Sequence, residues 1–168
     1  MDKPNHFTKV LCCFPGMGKT YATAHYGDRY RLRDSDSSEF HFLEGLDGKT
    51  LNPGWPKNYL DHIASIVKSC EYQVLFVSTH EEVRRGLHAL GIPYILVIPH
   101  KHPSVKTEFL KRYRERGSSE KFVKLLDENW NAWTGYEPEK EMSGSRIMFN
   151  DDHIDGEFLG RLIDSPFC

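Results

Sequence analysis

The chain has 168 residues, 39% hydrophobic and 27% charged, a balance that suits one globular domain over 1–168 and excludes a disordered chain. No apolar run approaches the ~18 residues of a membrane span, and Met1-Asp2-Lys3-Pro4-Asn5 lacks a charged-then-apolar leader pattern, so a cytoplasmic protein with no membrane partner is expected. The formal charge of −2 hides a local excess, because His100 to Lys124 holds eight Lys/Arg against three Glu. Such a stretch is either a solvated helix face or a surface for a polyanion such as nucleotide phosphate.

In chain order, Val10-Leu11-Cys12-Cys13-Phe14 is a compact apolar run stopped by Pro15-Gly16, which reads as a buried strand. A helix follows from Lys19 to His25. Tyr30-Arg31-Leu32-Arg33 alternates and ends at Asp34-Ser35-Asp36-Ser37-Ser38, a second strand opening into a polar loop. After Asn52-Pro53-Gly54-Trp55-Pro56, the apolar residues Tyr59, Ile63, Ile66 and Val67 recur at helical spacing. Val74-Leu75-Phe76-Val77 reads as a third strand, and a helix through Val83, Leu87 and Leu90 stops at Gly91.

Tyr94-Ile95-Leu96-Val97-Ile98 is a fourth strand, and the basic stretch beyond it is helical with Val105, Phe109 and Tyr113 on one side. Gly117-Ser118-Ser119 breaks it before a helix bearing Phe122, Leu125, Leu126, Asn129 and Trp133. Arg146-Ile147-Met148-Phe149 is a fifth strand, and a last helix carries Phe158, Leu159 and Leu162. Strands alternating with helices imply an α/β fold of parallel βαβ units with both sheet faces covered. Cys12, Cys13, Cys70 and Cys168 lack paired CxxC spacing and are expected as buried or free thiols. His100 and His102 form a two-histidine fragment without a third ligand, and Trp130 and Trp133 suit packing better than base stacking.

The frame Cys13-Phe14-Pro15-Gly16-Met17-Gly18-Lys19-Thr20 departs from the phosphate-binding P-loop pattern G-x-x-x-x-G-K-[ST] only at its first residue. Small residues between a strand and a helix let backbone N–H groups curl around phosphate at the positive helix end. Pro15, Gly16, Met17, Gly18, Lys19, Thr20 and Tyr21 are therefore the expected ATP-binding set. Lys19 would reach the β- and γ-phosphates and Thr20 would ligate Mg²⁺. Gly48-Lys49-Thr50 repeats the ending of the motif, but no buried strand precedes it and Asn52-Pro53 interrupts any following helix, so it is read as a decoy.

Phe14 to Thr20, Asp34 to Ser38, Asn52 to Pro56, Val77-Ser78-Thr79-His80 and Arg112 to Gly117 together resemble a family of small P-loop kinase-like proteins common in bacteriophages. The layout is also similar to nucleoside monophosphate kinases and shikimate kinase. That resemblance implies a three-layer P-loop NTPase fold, a five-stranded parallel sheet in the order 2-3-1-4-5, and a helical lid after strand 4, within 100–135. It further implies that Asp34 assists Mg²⁺, that Asp36 holds or deprotonates the acceptor, and that Arg112 and Arg116 clamp the transferring phosphate. From the residues alone, a metal-assisted phosphoryl transfer needs carboxylates near the β- and γ-phosphates. Asp34 to Ser38 is also consistent with a turn or helix cap, and Arg112 and Arg116 with a solvated face.

Strand 3 runs into Ser78-Thr79-His80 with no Walker B aspartate. Ser78, His80 and Arg84 join Asp36 as acceptor-binding candidates, with a helix cap as the alternative role of His80. The expected activity is transfer of the ATP γ-phosphoryl group to a nucleotide or nucleoside-like acceptor. The other readings are a kinase of a hydroxyl on a modified base in phage DNA, and a non-kinase ATP-binding regulatory protein.

Overall fold

The computed structural model describes residues 7–15, 19–43, 50–99, 102–134 and 146–150, the last segment in its backbone alone. Three short, largely apolar runs form central strands: β1 (Lys9–Cys13), β3 (Val74–Val77) and β4 (Tyr94–Pro99). Apart from half-buried Lys9, every residue in them is buried, which requires cover on both faces of the sheet. β2 (Leu32–Asp34) is a short strand at the edge beside β3.

These four strands pair in parallel in the order β2-β3-β1-β4. The backbone of β5 (Arg146–Asn150) pairs parallel to β4 and completes the order β2-β3-β1-β4-β5. The register sets Leu11 opposite Phe76 on one side and Ile95 on the other, so the C-terminal ends of β1, β3 and β4 lie along one edge.

Helices α1 (Lys19–Tyr26), α3 (Lys57–Ser69) and α4 (Glu81–Ala89) make the first crossovers. α3 buries Tyr59, Ile63 and Ile66, the periodic apolar positions of the sequence, and α4 buries Val83 and Leu87. Gly91 takes φ 68° just past α4, a left-handed turn that other residues adopt at a cost. The second strand is shifted from the expected Tyr30–Arg33, and the polar loop after it contains a helical turn, α2 (Ser38–His41). The last helix expected, around Phe158 to Leu162, lies outside the described residues, as does most of the Gly48-Lys49-Thr50 decoy.

The stretch after β4 forms α5 (Pro103–Glu115) and α6 (Glu120–Thr134). They lie antiparallel, since Lys106 pairs with Asp127 at one end, and Arg114 with Glu120 and Tyr113 with Phe122 at the other. Their inner face is core rather than a detached cover: Val105, Phe109, Tyr113, Val123, Leu126 and Trp130 are all buried. Phe14 meets both helices edge-on, its centroid 5.8 Å from Phe109 and 5.7 Å from Trp130. Trp130 is thus a packing residue, whereas Trp133 is exposed. Replacing Phe14 with Ala is expected to cost about 3–5 kcal/mol by opening a cavity where three rings meet, measured by urea unfolding; a cost under about 1 kcal/mol would contradict this packing.

Candidate active site

β1 ends in Cys13, the Phe14 N–H donates to Val97 O at 2.9 Å, and Pro15 emerges exposed. Helix α1 begins at Lys19. The buried strand and the helix that the phosphate-loop frame requires therefore stand on either side of Gly16-Met17-Gly18, which fall outside the described residues. Thr20 and Tyr21 lie in the first turn of α1.

Lys19 Nζ lies 3.5 Å from Asp34 Oδ1, with the lysine side chain 23% and the carboxylate 36% exposed. A pair this open contributes at most about 1 kcal/mol, so Lys19 can leave Asp34 for a better anion at little cost. Both charges sit near the end of β1. Burial pushes the Cys13 thiol up to about 12, Lys19 opposes that shift and Asp34 adds to it. Cys12 is raised further by burial, so neither thiol is a nucleophile near neutral pH.

The tips of β2 and β3 are tied through Tyr59. Its hydroxyl donates to Ser35 O at 2.7 Å and accepts from Ser78 N–H at 3.2 Å. Each serine also meets a histidine: Ser35 Oγ is 3.0 Å from His62 Nε2, and Ser78 Oγ is 2.9 Å from His80 Nδ1. Beside these tips, His41 stacks on Trp55 at 4.4 Å and Trp55 on Tyr59 at 5.5 Å, while His80 stands edge-on to His41 and Trp55. Trp55 Nε1 donates to Glu82 Oε1 at 3.0 Å. Burial works against ionising Glu82, but that bond, a backbone N–H and the two nearby imidazoles outweigh it and hold the carboxyl below its usual range.

The remaining predicted residues divide. Asp36 Oδ1 accepts the Ser38 N–H at 2.9 Å, so this carboxylate does brace the turn into α2. His80 occupies the N-cap position of α4 without a side-chain cap bond. Arg84 Nε donates to Thr79 O at 3.1 Å, and its charge is felt at Cys12. Arg116, at the end of α5, lies over the Tyr113 ring at 4.4 Å, and half-buried Arg112 also acts on that phenol. The contacts described for Arg116 are thus within the α5/α6 hairpin and do not bring it to Lys19 or Asp34. His102 caps α5 by accepting the Ser104 N–H, and His100 lies outside the described residues. Among the described residues no group of three or more His, Cys, Asp or Glu is set to hold a metal ion by itself, and no helix is long and apolar enough to cross a membrane.

Sequence reasoning held Trp55 only as part of the Asn52 to Pro56 motif and Tyr59 only as a periodic apolar position, and missed His41 and His62 as parts of this region. Their signal was the density of rings between Phe40 and His62, which periodicity alone assigns to the core.

No protein-family model and no curated protein matches the chain. Solved structures do. A gluconokinase from Sinorhizobium meliloti 1021 aligns with a TM-score of 0.54 at 14% identity, over 90% of this chain and 87% of that one. The chain shares the fold of that kinase. A second solved protein, APE1195, aligns with a TM-score of 0.47 at 20% identity over 96% of this chain and 97% of that one, too low for a fold assignment.

The two serine-bonded imidazoles give the region a pH signature. Burial lowers both from 6.5, Arg33 adding to this at His62 against Glu39, while at His80 Glu82 opposes it and His41 adds. A histidine with a depressed folded pKa binds more protons unfolded, so its contribution is full above about 6.5 and is lost as pH falls through the lower folded value. The urea midpoint should therefore fall between about pH 7 and pH 5, and fall less in a His62→Gln/His80→Gln variant. An equal fall in both proteins would contradict the assignment.

Proposed function

We propose that the chain transfers the γ-phosphoryl group of ATP to a small nucleotide or nucleoside-like acceptor. The observation that carries this reading is the meeting of Lys19 and Asp34 over the end of the buried strand β1, where a P-loop lysine and a metal-assisting carboxylate belong. The shared fold supports it, since in such sheets ligands bind outside the carboxyl ends of the strands.

Asp34 is an accessible carboxylate at a strand tip, which suits Mg²⁺ shared with nucleotide phosphates and water better than a closed protein cage. Thr20 supplies the hydroxyl by its place in the motif, and the bound ion would offset phosphate charge. Lys19 exchanges Asp34 for the β- and γ-phosphates. An acceptor oxygen then bonds to the γ-phosphorus as the bond to the β,γ-bridging oxygen breaks, and ADP leaves with that electron pair. Where the acceptor is a hydroxyl, its proton passes to the exposed carboxylate of Asp36.

Ser78, His80 and Arg84 line the β3 side of the acceptor space. Arg112 and Arg116 would contribute only by bringing the hairpin tip to the phosphates. The basic stretch is not a uniform cationic surface for DNA, because Lys106, Lys111, Arg114 and Lys124 each face an acid.

Lys19→Ala is expected to abolish transfer with an unchanged circular-dichroism spectrum, since the side chain contributes little to packing. Asp36→Asn should keep ATP affinity while lowering single-turnover transfer by ~10²–10⁴-fold. Full turnover in Lys19→Ala would refute the ATP site. A parallel loss of ATP affinity and rate in Asp36→Asn would move that carboxylate from the acceptor to the donor.

A further inference from the structure

We infer that the Tyr59 hydroxyl is a wedge that parts β2 from β3 and so shapes the acceptor space, which makes Tyr59 a positioning residue for Asp36 and His80. This rests on the phosphotransfer reading of the same site. In a parallel ladder every second residue of a strand donates its N–H to the residue before its partner on the neighbouring strand and accepts from the residue after that partner. With Asp34 opposite Phe76, Ser35 falls opposite Val77, and the first of these bonds is present, from Ser35 N–H to Phe76 O at 3.0 Å. The same register calls for Ser78 N–H to donate to Ser35 O.

That second bond is replaced. Tyr59 Oη donates to Ser35 O at 2.7 Å and accepts from Ser78 N–H at 3.2 Å, so two hydrogen bonds in series stand where the ladder has one. A hydroxyl offers one donor and two acceptor positions, which lets it relay the bond without leaving either backbone group unpaired. The strands separate at this step. Beyond it β2 delivers Asp36 into α2, and β3 delivers Ser78 and His80 into α4.

The wedge is held firmly. The Tyr59 ring is fully buried and packs against Phe40 and Trp55, and Ser35 is fixed in turn by His62. Phenylalanine would fill the same ring volume, so the hydroxyl serves the spacing of the strand tips rather than core packing. Direct closure of Ser78 N–H onto Ser35 O would draw Asp36 and His80 together and narrow the space between them.

The test is Tyr59→Phe, read in two ways. By NMR, the variant should show a direct Ser78–Ser35 hydrogen-bond coupling that is absent from the wild type. In steady-state kinetics, kcat/KM for the acceptor should fall by up to ~10²-fold, the scale of an ångström of misplacement, while ATP affinity stays the same. Wild-type acceptor kinetics in the folded variant, or an equal loss of ATP affinity, would overturn the proposal. If the variant does not fold, the wild type decides alone: a direct Ser78–Ser35 coupling there overturns the wedge, and a slowly exchanging Tyr59 hydroxyl proton coupled to Ser35 supports it. Absence of transfer by the wild type to any acceptor strikes the phosphotransfer reading instead, and the coupling still judges the wedge.

Discussion

Phe14 fixes the geometry on which the site depends. Its N–H extends the ladder by one bond to β4, and its ring closes the aromatic contact with Phe109 and Trp130. The chain reaches Pro15 with its direction already set by a buried strand on one side and a helix hairpin on the other. A loop that approaches phosphate with its backbone, the role proposed for the residues after Pro15, needs such a rigid support, because misplacement by an ångström weakens every contact made to a charged ligand.

From that anchor the polar groups of the site follow at rising distance from the core. The thiols beneath it are buried and protonated, and they set an apolar floor. Above them Lys19 and Asp34 form a weak, exposed pair, which leaves both groups available to exchange partners. Farther along the same edge the serine, histidine and tyrosine hydrogen bonds are buried or half-buried, so they hold shape where the Lys19–Asp34 pair can change it.

Much of this was legible in the sequence because the signals are local. Val10 to Phe14 and Tyr94 to Ile98 are apolar runs too short for helices, and Gly91 marks a helix end by its backbone freedom. The strand order followed from resemblance, and the strand pairing agrees with it; Lys19 was singled out by the phosphate-loop frame, and α1 begins at that residue. What could not be read was non-local. β2 slipped toward its C-terminus because Arg31 and Leu32 alternate equally well in either frame, and pairing with Val74 decides between them. Asp36 has a local role as well as a candidate chemical one, and the sequence offers no means to separate the two. Tyr59 looked like a core position of α3, which it is, and only the register of two distant strands shows what its hydroxyl replaces.

The central claim is that the edge holding Lys19, Asp34 and Asp36 moves phosphate from ATP onto a second small molecule. The direct measurement follows the γ-label of ATP after incubation with nucleoside monophosphates, nucleosides and modified DNA in turn. The account predicts label on a free nucleotide or nucleoside, dependent on Lys19. Label recovered only as free phosphate, or retained on ATP with every acceptor, would contradict it.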